Sequence, residues 1–501
     1  MAASGHGWGA ECAVRRASSG GRPVARFFRS RKHWMTKSSS PLRANASTLK
    51  LLFYVCDATK ASISGYRQCP KPDRPVMTHP HEVENLAPLD LVRTLRVAGR
   101  AGEARALCAQ LAALPDPDCY IGQLGIDLSY LGMYAEAEKF LMRALAEESV
   151  TLDNRYMLAE ELCIAQFLLG KYHEAHQCYR TIRGREFAEA FHRLILEGNE
   201  AWRHVLPHKL LEMDESVEDM RIFIHAEGGF GDFVQFSRYI DALLRDGARE
   251  VVVEYFPGWE EIFRQSDEVT MSLPTVEQRA IEHERCDRMT FGFSLYARYQ
   301  RSPYWPAENP AARIAIHPAK ALSDEAAELL ADETKRLKIG LLWKSASGVR
   351  QEPYRSIPLA RLESLLHNQD CRFYAVQVGD IGEEERAIMN HHGITDLAPH
   401  LSTFGDTARV LEKLDLLITI DTGTAHLAGA LNRPVWVLLS QACDSRWLDC
   451  QRFTPWYPSM RLHRQTELGD WTQPLADLHT DLNALSASFS ASSAQARAEN
   501  P

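Results

Sequence analysis

The stretch Leu416-Leu-Ile-Thr-Ile420-Asp421-Thr422-Gly423-Thr424-Ala425-His426-Leu427-Ala428-Gly429-Ala430-Leu431-Asn-Arg-Pro434-Val435-Trp-Val-Leu-Leu439 decides the fold. Its two apolar runs, Leu416–Ile420 and Val435–Leu439, have the length of buried strands, and the residues between them read as a helix near 423–431. The first strand delivers its end to that helix. The free N–H groups of the first turn, with the helix dipole, favour a phosphate or diphosphate. Asp421 closes the strand, the Thr422 and Thr424 hydroxyls can add hydrogen bonds, and His426 lies one turn in. An ordinary helix start with a core-facing histidine is the competing reading.

The same alternation continues outward. Strands are read at 339–343 and 373–378, with helices near 358–367, 382–391 and 405–413. Upstream, Arg221-Ile-Phe-Ile-His-Ala226 reads as a buried strand. A glycine-rich turn follows, then an amphipathic helix from about 233 to 245, and Val251-Val-Val-Glu-Tyr255 as the next strand. This is the opening of a parallel, doubly wound sheet. Two α/β lobes, 215–335 and 336–485, then face each other across a cleft, with ligands expected at the carboxyl ends of the strands. The region 274–335 is less regular and contains Pro303, Pro306, Pro310 and Pro318, which suggests a lobe edge and linker. Residues from Ser486 are rich in Ala and Ser and are expected to be disordered.

Two further clusters fall at predicted strand ends. In Glu227-Gly228-Gly229-Phe230-Gly231-Asp232 the glycines Gly229 and Gly231 let backbone approach a ligand, and Asp232 opens the next helix. A plain turn with Asp232 as N-cap is the alternative. The full G-x-G-x-x-G spacing is missing, which argues against a nicotinamide site. In Trp343-Lys344-Ser345 and Arg355-Ser356, Lys344 or Arg355 could neutralise a diphosphate, or could simply form a solvated basic face.

Residues 77–205 are helical by pattern from about residue 86. Gly99-Arg-Ala-Gly-Glu103-Ala104 is echoed by Gly132-Met-Tyr-Ala-Glu136-Ala137 and by Gly170-Lys-Tyr-His-Glu174-Ala175, offsets of 33 and 38 residues. Cys108, Leu141 and Tyr179 each follow nine residues after the glycine, in position to face the neighbouring helix. Gly permits the turn between paired helices, and Ala allows a close crossing. A period near 34 resembles the tetratricopeptide repeat, with Leu124-Gly125 at its Leu-Gly position. The longer second interval predicts a longer loop near Ser149–Asn154. Such repeats build concave surfaces for protein partners. They could instead brace the next domain, and a generic helix bundle is the remaining alternative.

The chain has 501 residues, enough for several domains. Residues 1–76 carry fourteen Lys/Arg against three Asp/Glu, which leaves −20 for the remaining residues of a chain whose formal charge is −9. An acidic body argues against a general nucleic-acid binder. The Arg- and Ser-rich first 76 residues read as a disordered leader, a transit segment, or a mis-assigned start preceding Met35 or Met77. Eleven cysteines with no CxxC pair suit buried thiols in a reducing compartment, hence a cytoplasmic protein, and no spacing suits a metal. No stretch approaches the ~18 apolar residues of a membrane span.

Together the clusters resemble the GT-B glycosyltransferases of the lipopolysaccharide heptosyltransferase family (glycosyltransferase family 9), in particular the members that carry tetratricopeptide repeats. The resemblance covers roughly residues 86–485. It rests on Asp421-Thr-Gly-x-x-His-Leu-x-x-Ala-Leu-x-Arg-Pro434, on Gly231-Asp232, on Arg355-Ser-Ile-Pro-Leu359, and on Trp447…Trp456-Tyr-Pro458…Arg461…Gly469-Asp-Trp471. It implies an α/β GT-B fold, two Rossmann-like lobes facing a cleft, preceded by an all-α tetratricopeptide-like module. It also implies transfer of a sugar from a nucleotide diphosphate-sugar to a hydroxyl of a glycan, lipid or protein, with inversion and without a metal or other cofactor. Asp232 would be the general base. Thr422, Gly423, Thr424 and His426 would hold the donor, with Lys344 as the basic residue, although Lys344-Ser-Ala-Ser-Gly-Val-Arg350 replaces the usual Asn-rich stretch. The rivals are a non-catalytic scaffold on a degenerate GT-B fold and a nucleotide-sugar epimerase.

Overall fold

The computed structural model describes residues 88–114, 121–196, 202, 205–300, 312–316, 320–331, 336–345 and 351–499. The expected leader at 1–76 and all four of the prolines read as linker lie outside the described residues.

Six helices come first: α1 (Pro88–Val97), α2 (Ala101–Ala112), α3 (Ile121–Tyr130), α4 (Tyr134–Leu145), α5 (Leu152–Leu168) and α6 (Tyr172–Ile182). They form three pairs, each joined at one of the three repeated glycines. Gly99, Gly132 and Gly170 take φ of 77°, 73° and 73°, a left-handed geometry that side chains with a Cβ resist. Ala104, Ala137 and Ala175 are fully buried, as are Cys108 and Leu141. A Cβ on Gly125 would sit 2.8 Å from Leu141, so that glycine sets how closely α3 and α4 cross. The longer loop expected near Ser149–Asn154 falls partly within α5, whose 17 residues begin at Leu152. Continuous burial of Leu158, Leu162, Ala165 and Leu168 keeps the longer helix wound.

The first lobe is a four-stranded sheet in the order β3-β2-β1-β4, every pair parallel. Its strands are β1 (Arg221–His225), β2 (Glu250–Glu254), β3 (Val269–Ser272) and β4 (Arg288–Phe291). Between them lie α7 (Phe230–Phe236), α8 (Ile240–Arg245), α9 (Val276–Arg285) and, after β4, α10 (Gly292–Tyr299). The helix expected from about 233 therefore starts three residues earlier, and a 3₁₀ turn at Ser237–Tyr239 interrupts it. The irregular stretch expected from 274 is regular as far as Tyr299. Four-residue strands such as β3 and β4 leave too short an apolar run to show a period.

The second lobe is a six-stranded parallel sheet in the order β10-β9-β8-β5-β6-β7. It comprises β5 (Leu337–Leu342), β6 (Cys371–Ala375), β7 (Thr395–Asp396), β8 (Leu416–Ile420), β9 (Val435–Leu439) and β10 (Met460–Arg464). Every residue of β8 and β9 is buried, as two-sided coverage of a parallel sheet requires. Helices α11 (Glu383–His392), α12 (Phe404–Lys413) and α13 (Gly423–Ala430) connect the strands, and α14 (Thr472–Glu499) closes the chain. The expected disordered tail is thus helical to Glu499. Ala and Leu favour helix, Leu478 and Leu482 are buried, and Ser486 accepts from the Asn368 amide at 3.0 Å.

The repeats are bound along their turns to the second lobe. A Cβ at Gly132 would lie 3.2 Å from Gln441 Oε1, and one at Gly170 would lie 3.0 Å from Asp449 Oδ2. Tyr172 bonds the Asp449 carboxylate, Arg105 bonds the Gln441 side chain, and the Tyr354 hydroxyl donates to the Arg96 carbonyl at 3.1 Å. Bracing is what this edge of the module does.

Burial also holds three imidazoles neutral: it lowers His225 to about 3, and His176 and His463 to about 4. A base with a depressed folded pKa contributes stability that is complete above its ordinary value of 6.5 and is lost as pH falls. Below pH 6.5 each such imidazole costs about 1.4 kcal/mol per pH unit until its folded pKa is reached. Urea unfolding at a series of pH values should show falling stability from 6.5 to 4, with a shallower slope in His463→Gln. An unchanged slope would remove His463 from the account.

Candidate active site

The carboxyl end of β1 leads into Ala226-Glu227-Gly228-Gly229 and then α7. Gly228 has φ 71°, and a Cβ there would lie 2.3 Å from Asp232 Oδ2. That position is filled because Asp232 folds back over the loop. Its Oδ2 accepts from the Gly229 N–H at 2.6 Å, closing the first turn of α7 with Asp232 at its third position. Asp232 is therefore not the N-cap, and the Gly229 N–H points at Asp232. Gly231 plays another part. A Cβ there would lie 2.8 Å from the His426 ring and 3.3 Å from Gly423 Cα. A Cβ on Gly423 would in turn lie 2.9 Å from Phe230. These two glycines allow the starts of α7 and α13 to meet, one from each lobe.

On the second lobe, Thr422 caps α13: its hydroxyl accepts from the Ala425 N–H at 3.4 Å. Thr424 is half-buried in the first turn. His426 is buried, stacks on Trp447 with ring centroids 5.1 Å apart, and places Nδ1 3.0 Å from the Tyr457 hydroxyl. Burial first, then Arg446, hold its pKa well below the usual histidine range. Its Nε2 has no hydrogen bond and lies 3.9 Å from Asp421 Oδ1. The ring is buried, yet it lies at the lobe junction. Arg355 Nε donates to the Asp421 carbonyl, and its guanidinium lies 4.0 Å from the Asp421 carboxylate.

Lys344 stands apart from this network. Its Nζ donates to Glu385 Oε2 at 2.6 Å, and the neighbouring Trp343 indole donates to Glu385 Oε1 at 2.6 Å. The Lys344 charge is matched within its own lobe by Glu385, fixed at the start of α11.

Arg446 is the residue that joins the two halves, and the sequence reading passed over it. It lies in a 3₁₀ turn, Ser445–Trp447, beyond the carboxyl end of β9. Its guanidinium pairs with Asp232 of the first lobe, lies 3.0 Å from Asp444 Oδ1, and donates to Gln235 Oε1 at 3.2 Å. Burial raises the Asp232 pKa even with Arg446 opposing it, whereas Asp444, despite burial, is held by Arg446 at about 2. The only sequence signal was an isolated Asp-Ser-Arg set in an apolar stretch after a strand end. A second missed group is Glu227, whose Oε1 accepts from Arg183 of the repeat module at 2.6 Å.

Residues 359–459 match the sequence pattern of glycosyltransferase family 9 (heptosyltransferase). The C-terminal half carries a glycosyltransferase family 9 domain. The match takes in Asp421–His426, Asp444, Arg446 and Tyr457, and leaves Asp232, Lys344 and Arg355 outside it. The protein FlbA of Caulobacter vibrioides is 26% identical over 298 residues, 55% of this chain and 48% of FlbA. The chain thus spans about half the length of that curated relative. A family 9 glycosyl transferase structure from Veillonella parvula aligns at 12% identity, with TM-score 0.38, over 51% of this chain and 88% of that one. The E. coli heptosyltransferase WaaC with ADP aligns at 14% identity, with TM-score 0.34, over 53% of this chain and 100% of its own. Between the family 9 domain and the lobe before it, Phe230 stacks on Phe404 at 3.4 Å and the Thr403 hydroxyl donates to Glu261 at 3.1 Å. No helix among the described residues is long and apolar enough to cross a membrane.

Proposed function

We propose that this chain is a glycosyltransferase moving a sugar from a nucleotide diphosphate-sugar to a hydroxyl acceptor, with inversion at the anomeric carbon. The observation that carries this is the pairing of Asp232 with Arg446 across the lobes, where the start of α7 meets the start of α13 and Arg355 lies beside Asp421. Asp232 takes the proton of the acceptor hydroxyl as its oxygen bonds to the anomeric carbon. The bond from that carbon to the diphosphate oxygen breaks, and the diphosphate leaves with the electron pair. Arg355 and the first turn of α13 meet the charge that develops on it. Burial raises the Asp232 pKa toward working pH, which suits a general base.

The finer readings belong to the same proposal. The three left-handed turn glycines at a period near 34 support tetratricopeptide-like repeats. Free, mostly buried cysteines support a reducing, cytoplasmic setting. The test is thermal unfolding of the full chain with ADP, GDP, UDP and CDP in turn. A nucleotide at a hundred times its Kd should add about 2.7 kcal/mol. One nucleotide should raise Tm, and Arg355→Gln should abolish the rise. No rise with any of the four would favour a binding scaffold instead.

A further inference from the structure

The ion pair between Asp232 and Arg446 raises a difficulty for any base in this position. A carboxylate paired with a guanidinium takes a proton less readily than the same carboxylate freed of it. We propose that Arg446 is a positioning residue that exchanges partners: the donor's diphosphate takes its guanidinium, and Asp232 is thereby released to act on the acceptor. This rests on the transferase reading above.

Three observations support the exchange. First, the pairing is ionic and poorly aligned. Asp232 Oδ1 and Arg446 Nε are both buried, and neither makes a hydrogen bond of good geometry. The guanidinium is instead held by Asp444, with Nε 3.0 Å from Oδ1 and Nη2 donating to Oδ2 at 3.2 Å, so Asp232 is the partner a diphosphate can displace. Second, the local charge blocks an anion unless a carboxylate gives up its claim. Among the described residues, Asp232, Asp421 and Asp444 share two guanidinium partners at the junction, Arg355 and Arg446. Third, the backbone that carries Arg446 is fixed, so the movement is confined to the side chain. Trp456 Nε1 donates to the Arg446 carbonyl at 2.5 Å, Trp447 is fully buried, and α5 of the repeats packs on the Ser445–Trp447 turn. The Gln235 amide oxygen at 3.2 Å and the Asp444 carboxylate can keep hold of the guanidinium while it turns.

The device makes the order of events chemical. With no donor present, Asp232 stays paired and cannot deprotonate an acceptor or a stray water. Because such coupling is reciprocal, removing the Asp232 charge must in turn strengthen diphosphate binding. A pair that served only to hold the lobes together would give the opposite sign.

The experiment is isothermal titration of inorganic pyrophosphate, and of ADP, GDP, UDP and CDP, into the full chain and three variants: Asp232→Asn, Arg446→Gln, and the double variant. The expected result is binding roughly tenfold tighter in Asp232→Asn, binding weaker in Arg446→Gln, and no tightening when Asp232→Asn is added to the Arg446→Gln background. Unchanged or weaker binding in Asp232→Asn overturns the exchange and leaves the donor site standing. Tightening that persists in the double variant also overturns it, since that is plain charge repulsion acting without Arg446. Failure of the wild type and Asp232→Asn alike to bind any of the five overturns the transferase reading together with the exchange. Asp232→Ser serves as the second uncharged variant should Asp232→Asn not fold.

Discussion

Replacing Arg183 with Ala is expected to cost about 3–5 kcal/mol of folding stability, because it strands a buried carboxylate. Arg183 ends the last repeat helix, and its pair with Glu227 at 2.6 Å is almost wholly out of solvent: the two side chains are 5% and 9% exposed. Burial works against the Arg183 charge, and Glu227 more than offsets it. Glu227 keeps one other bond, from the Phe293 N–H at 3.3 Å, and burial already raises its pKa. The guanidinium also sits over the rings of Tyr179, Phe191 and Phe293, at 5.3, 5.1 and 5.4 Å, so its loss removes packing as well as charge. Urea unfolding of the full chain measures the loss. Glu227→Gln in the same chain should restore part of it, since a neutral amide tolerates the site better. A loss below about 1 kcal/mol would mean that the pair is solvated like a surface one.

The second large effect concerns chemistry. Asp232→Asn should lower sugar transfer by about 10²–10⁴-fold, the usual contribution of a general base, without loss of nucleotide binding. The amide can still accept from the Gly229 N–H, so the turn that carries it is kept. Rates of transfer at saturating donor and acceptor measure this, with nucleotide binding to the same preparation as the control. Turnover retained in Asp232→Asn would remove the residue from the role.

The second lobe was the most legible part of the chain. Its strands β8 and β9 fall on the residues expected, because a strand buried on both faces is written as an unbroken apolar run. The turn glycines were legible for a similar reason: a left-handed backbone demands one residue type at a fixed place. Strands β3 and β4 were hidden by their four-residue length. The site was legible where one segment supplies it, as in Asp421–His426. It was opaque where distant segments meet. Arg446 reaches Asp232 across 214 positions of sequence, and Arg183 reaches Glu227 from another domain, so no local spacing marks either pair. The Lys344–Glu385 pair was opaque for the same reason: a cation after a strand looks alike in sequence whatever acid stands opposite it.

Helical solenoids in general gain or lose units with little penalty, because each unit touches only its neighbours. Here the turns at Gly132 and Gly170 abut Gln441 and Asp449 in turn, and a Cβ at Gly99 would lie 3.9 Å from Pro353. The periodic part of the protein is thus keyed, tooth by tooth, to a non-periodic surface. Adding or removing one unit would put every later tooth against the wrong notch and carry Arg183 away from Glu227. The number of units is therefore fixed by the lobe beside them.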